Sequence, residues 1–100
     1  MIKEKRSVGK NRGREQNKKK YKVIMYNDNT TTMDFVVLVL MAIFDYIESD
    51  AINLMFQIHT GDKMVVAIYP KKLAIAKMTK TLKLAKMCDF NDFRVTVEEA

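Results

Sequence analysis

Asn27, Asp28 and Asn29 stand side by side in the stretch YKVIMYNDNTTTMDF, residues 21–35, with Thr30, Thr31 and Thr32 directly after them. Carboxylate and carboxamide oxygens accept hydrogen bonds, and an ionised Asp adds the charge that attracts an ammonium group. Short polar side chains of this kind also bond nearby backbone, which favours turns and helix caps. An apolar run begins immediately downstream at Met33, Phe35 and Val36. Acceptors placed beside an apolar face can hold a cationic group attached to something greasy.

The other reactive side chains form no catalytic pattern. His59 is the single histidine and Cys88 the single cysteine. No nucleophile stands at a recognisable spacing from the histidine, and one His with one Cys is too few for a structural zinc site. Gly9, Gly13 and Gly61 are the only glycines, so a phosphate-cradling loop is absent from the sequence. No enzyme, metal or cofactor is expected. Taken alone, His59 reads as a surface or satisfied core histidine, and Met33 and Met55 read as core.

The elements that must position these residues follow from pattern. Tyr21, Val23, Ile24 and Tyr26 predict a short strand. A helix over about 32–46 follows, opened by Thr31 or Thr32, with Asp34 three positions after Thr31 in a capping-box arrangement. Phe35, Val36, Val39, Leu40, Ile43 and Phe44 carry its buried-face spacing. Val37, Leu38, Met41 and Ala42 make its other side apolar too, which normally means a covered surface. A dimer or partner contact through Leu38 and Met41 stands beside the alternative of harmless exposure.

A second helix is expected from Glu48 or Asp50 to Thr60, capped by Glu48 or Ser49 and ended by Gly61 in the left-handed position. Its apolar face is Ala51, Leu54, Met55 and Ile58. MVVAIY, residues 64–69, suits a buried strand, and Pro70 suits the first position of a third helix reaching Met87. Leu73, Ala76, Leu82 and Ala85 are expected inside that helix, with Lys71, Lys72, Lys77, Lys80, Lys83 and Lys86 solvated. FRVTV, residues 93–97, alternates like an edge strand. The order is β-α-α-β-α-β, a small α/β (α+β) domain in which a three-stranded sheet packs with three helices.

Charge divides the 100 residues in two: positions 1–20 hold nine Lys/Arg against two Glu, and positions 21–100 hold nine basic against ten acidic residues. The first stretch has almost no aliphatic content and predicts a disordered, basic extension. The second is a single domain. One cysteine suits a reducing compartment, and charges stand where a signal peptide needs its apolar core, so a cytoplasmic protein is expected. The longest apolar run, residues 35–44, falls far short of the ~20 residues that span a bilayer.

The run YKVIMYNDNTTTMDFVV resembles the opening of the ClpS adaptor domain, and AINLMFQIHTGDK resembles its second helix, with Ala51, Met55 and His59 four residues apart. The likeness continues through VVAIYPKKLAIAKM and covers residues 21–100. It implies a non-catalytic adaptor. Such a protein binds substrates that begin with a bulky hydrophobic residue (Phe, Tyr, Trp or Leu) and delivers them to a Clp-family AAA+ unfoldase, ClpA- or ClpC-like, with its peptidase. The residues it implies for the substrate's free amine are Asn27, Asp28, Asn29 and His59. Those implied for the hydrophobic pocket are Thr31, Met33, Val36, Met55, Ile58 and, from the last strand, Phe93.

Four departures accompany the resemblance. Asn29 replaces a second Asp, Thr32 replaces a Pro, and Phe93 stands where an aliphatic residue is common. Lys72 occupies a position that is acidic in the family's unfoldase-docking surface, whereas Lys77 matches its docking lysine. The family's leading extension takes part in handing over substrate, which gives the basic residues 1–20 a role. The alternative reading is a nucleic-acid- or ribosome-associated protein acting through that extension. Against it stand the absence of interleaved aromatics and of a basic face on the domain.

Overall fold

The computed structural model describes residues 19–100; the expected extension therefore lies, up to residue 18, outside the described residues. Its last position, Lys20, belongs to the sheet. Strand β1 spans Lys20–Tyr26 and is followed by helices α1, Met33–Ala42, and α2, Glu48–Gly61. Strand β2, Lys63–Pro70, helix α3, Lys71–Met87, and strand β3, Val95–Glu99, complete the chain. The β-α-α-β-α-β order is the expected one.

The sheet is antiparallel with order β2-β1-β3, so the first strand is central. Val23 and Met25 on β1 are fully buried toward the helices, beside Val66 of β2 and Val95 of β3. Residues directly opposite in register share a face. Ile24 therefore stands with Val65 and Thr96, and Lys22 with Ile68 and Glu98, on the other side of the sheet. Strand β2 is accordingly an edge, not the buried strand that its β-branched run suggests: Val65 and Ile68 are exposed. The register slips between Val23 and Ile24, leaving Val66 as the extra residue of a bulge. Its carbonyl is not orphaned, because the Tyr46 hydroxyl donates to it.

Helix α1 buries Phe35, Val36, Val39 and Leu40, and its cap is Thr32, whose Oγ1 accepts the Phe35 N–H at 3.2 Å. Asp34 makes no reciprocal capping bond among the described residues. The helix stops at Ala42, four residues earlier than its apolar pattern suggests. Ile43 and Phe44 still point into the core, while Asp45 takes φ 63° and turns the chain away. Core-facing residues thus outlast the helix that begins their pattern.

Helix α2 starts after Ile47, which offers no capping side chain, so neither Glu48 nor Ser49 caps it. Gly61 remains helical and the positive φ of 72° falls on Asp62. Asp is among the residues that visit positive φ at modest cost. Its carbonyl then receives the Asn27 N–H at 2.6 Å, which ties the end of α2 to the end of β1.

Pro70 closes β2 and caps α3 rather than opening it. The buried positions of α3 are Ala74, Thr81 and Ala85, with Leu82 packed against the core; of the four residues expected inward, Leu82 and Ala85 are so, whereas Leu73 and Ala76 are exposed. Lys77 is not simply solvated either. It is half-buried and donates to the Ile43 carbonyl at the C-terminal end of α1, where a cation meets the negative end of the helix dipole.

Candidate functional site

Strand β1 ends at Tyr26, and the next six residues form an elbow before α1. Asp28 organises it. Its Oδ2 accepts from the backbone N–H groups of Thr30 and Thr31 at 3.2 and 2.9 Å, and from both threonine hydroxyls at 2.7 Å. Its second oxygen, Oδ1, accepts no hydrogen bond among the described residues. The Thr31 and Thr30 hydroxyl bonds hold the carboxyl below the usual carboxylate range, opposed by slight desolvation. Asp28 is a fixed, ionised group with one oxygen committed to the elbow.

Around this elbow lies a pocket of about 270 Å³. Asn27, Asp28, Asn29 and Thr31 come to it from the elbow, and Met33 and Val36 come from the first turns of α1. Met55, Ile58 and His59 come from one face of α2, at the three- and four-residue spacing that brings helical side chains together. Phe93 closes the far side. All ten positions singled out in the sequence therefore line one hollow. Val36, Met55, Ile58 and Phe93 are buried and make its apolar depth, whereas Asn27, Asn29, Met33 and His59 are exposed at its mouth.

Phe93 does not lie in a strand: β3 begins only at Val95, and Phe93 sits in the preceding turn with its N–H on the Phe90 carbonyl at 3.2 Å. Its ring meets Phe35 edge-on, with centroids 6.0 Å apart. Two lining residues, Tyr26 and Thr32, were not singled out in the sequence. Thr32 was legible as a cap and its neighbour Thr31 as a wall. Nothing in the residue type of Tyr26 signals a site. The Tyr26 hydroxyl pairs with Thr96 Oγ1 at 3.1 Å, and the Arg94 guanidinium lies 4.3 Å from its ring centroid.

Lys72 and Lys77 are not part of this hollow. Both belong to α3, with Lys72 exposed in its first turn. Cys88 is a free, exposed cysteine, and no cluster of metal-ligating side chains occurs among the described residues.

Comparison with known proteins gives this arrangement a family. The profile described as "ATP-dependent Clp protease adaptor protein ClpS" matches residues 16–95. The chain belongs to the ClpS adaptor family. It is 40% identical over 81 residues to the ATP-dependent Clp protease adapter protein ClpS of Campylobacter jejuni, covering 81% of this chain and 83% of that one. The ClpS adapter of Lawsonia intracellularis is 38% identical over 81 residues, 81% of this chain and 73% of the relative. In three dimensions the chain is similar to Agrobacterium tumefaciens ClpS2, with a TM-score of 0.78 and 30% identity over 82% of this chain and 98% of that one. That ClpS2 structure is described as bound to L-phenylalaninamide. Membership makes this chain a non-catalytic adaptor of the Clp protease, with the Clp machinery and its substrates as partners. No described helix is long and apolar enough to cross a membrane.

Proposed function

We propose that the pocket captures the first residue of substrate proteins that begin with a bulky hydrophobic side chain, for delivery to a ClpA- or ClpC-like unfoldase in the cytoplasm. One feature carries this role, an ionised Asp28 at the mouth of an apolar hollow, whose Oδ1 accepts no hydrogen bond among the described residues. A free chain terminus is an ammonium group with pKa about 7.7–8.0, joined directly to the carbon that carries the first side chain. Asp28 Oδ1 supplies its counter-charge, the Asn27 and Asn29 oxygens accept its other protons, and His59 accepts through a neutral ring nitrogen or orients the group. The side chain then enters between Met33, Val36, Met55, Ile58 and Phe93, beside Thr31.

The four donors on Oδ2 hold the carboxylate in place before substrate arrives, so little ordering remains for binding to offset. Methionine on two walls suits a pocket that takes several side-chain shapes, because the unbranched thioether adapts. The basic residues 1–20 assist hand-over, and Lys72 and Lys77 belong to the surface that meets the unfoldase. In that surface the Lys77 amine is held against the Ile43 carbonyl, leaving Lys72 as its freer cation.

The test is a titration of a Phe-first peptide with its amine free and with the same amine acetylated. Binding is expected to disappear on acetylation, because the charge and two donors go while the ring is unchanged. Equal affinity for the two peptides refutes recognition of the amine.

A further inference from the structure

Behind Phe93 lies a second hollow of about 350 Å³, lined by Leu82, Ala85, Lys86, Phe90, Asn91 and Phe93. Phe93 is the one residue that lines both hollows. Its ring is buried, with 5% of the residue exposed. It packs edge-on against Phe35, and Phe35 in turn lies 4.9 Å from Phe90, centroid to centroid, a residue of the second wall. Phe93 thus borders both spaces, within an aromatic cluster with Phe35 and Phe90.

This partition is carried by a turn. Phe93 stands between the end of α3 and the start of β3, in a segment that reverses through Asp89 at φ 65°. Backbone bonds of this segment to β1 begin at the next residue, where the Arg94 carbonyl accepts the Tyr26 N–H at 3.1 Å. The space behind is chemically suited to extend the first pocket. Leu82, Ala85 and Phe90 give it apolar walls, and the exposed Lys86 and Asn91 make it polar at its rim, Asn91 having an amide oxygen that can accept. A buried indole needs both, because its body is apolar and its N–H must find an acceptor.

We infer that the second hollow is a latent extension of the substrate pocket and that Phe93 is a specificity-determining residue, setting which first side chains enter. This inference rests on the amine-capturing function proposed above. With the ring in place the pocket ends at Phe93 and favours single-ring and branched aliphatic side chains. With a smaller or more flexible residue there, the hollows join and an indole reaches Asn91. Phe93 acts as a wall that substrate touches, and the space behind it changes the ranking of substrates.

The experiment measures dissociation constants for three peptides identical except for Trp, Phe or Leu at the first position. The parent is compared with Phe93→Leu and with the double variant Phe93→Leu/Asn91→Trp. In Phe93→Leu the affinity for the Trp-first peptide relative to the Phe-first peptide is expected to rise about tenfold, the low end of what one methylene's worth of pocket fit decides. Filling the second hollow with the indole of Asn91→Trp is expected to return the ratio to the parental value. Thermal melting establishes that each variant is folded, and Phe93→Met, which opens the partition by flexing, replaces Phe93→Leu if the latter is not. An unchanged Trp-to-Phe ratio in a folded variant, with parental peptide binding intact, overturns the partition alone. A parent that binds free and acetylated peptides alike overturns the functional reading and this inference together.

Discussion

Asp28→Asn is the sharpest probe of the site, because it changes one charge and almost no volume. In the parent, Oδ2 accepts four hydrogen bonds from Thr30 and Thr31 and Oδ1 accepts none among the described residues. The Asn side chain keeps one oxygen, and the four elbow donors claim it. The amide nitrogen is then left at the former Oδ1 position, where it presents N–H donors to a substrate ammonium that also only donates. A hydrogen bond involving a charged group contributes about 1.5–3 kcal/mol, so binding of a Phe-first peptide should weaken by roughly 10- to 150-fold, at 1.4 kcal/mol per decade. Isothermal titration at neutral pH reads this directly. The melting temperature should fall modestly, since the elbow retains an acceptor but loses the charge that strengthens its four bonds. A dissociation constant within threefold of the parent, in a protein that melts normally, refutes the reasoning.

The same geometry fixes the pH dependence. The threonine bonds lower the Asp28 pKa below its usual 3.8, so the folded carboxylate stays charged through mild acid. A group with a depressed folded pKa stabilises the protein above its unfolded pKa, and that contribution is lost as pH falls through the folded value. Protonation of Asp28 should therefore cost no peptide affinity between about pH 5 and 7, and affinity should fall above about pH 8, where the substrate amine loses its proton. Affinity that stays level to pH 10 contradicts amine capture.

Three further perturbations test the scaffold and its surfaces. Thr32→Ala removes the α1 cap and should lower stability by about 1 kcal/mol in a urea titration, with a larger relative loss of peptide affinity if the elbow loosens. Tyr46→Phe removes the hydroxyl that donates to the bulged Val66 carbonyl and should cost about 1 kcal/mol of unfolding free energy, the net worth of one hydrogen bond. Leu38 and Met41 are exposed on α1, so sedimentation of Leu38→Asp beside the parent decides whether they join two copies; a monomeric parent rules out that contact.

Much of this protein is legible in its amino-acid sequence. Element order follows from short β-branched runs alternating with 3.6-residue periodicity, and residue type narrows the α1 cap to Thr31 or Thr32, of which the fold uses Thr32. The pocket residues were legible because the NDN elbow and the Ala51, Met55, His59 spacing resembled one family's motifs. Composition alone left His59 as an ordinary histidine. Helix limits were less legible, since Ile43 and Phe44 continue the apolar pattern after the backbone has turned at Asp45. Side-chain pattern records what faces the core, and it does so whether or not the backbone is still helical.

The sequence by itself determined the local items: which stretches are strands and helices, where one carboxylate sits relative to a cap, and that basic charge gathers before residue 21. Tertiary structure decided what depends on distant segments meeting. It made β1 the central strand and β2 an edge, sent the Lys77 amine to the Ile43 carbonyl, and set Phe93 in a turn between two hollows. Residue spacing constrains neighbours along the chain, as at Asp28, whereas Lys77 and Phe93 meet Ile43 and Phe35, 34 and 58 positions away, through packing that no local pattern encodes.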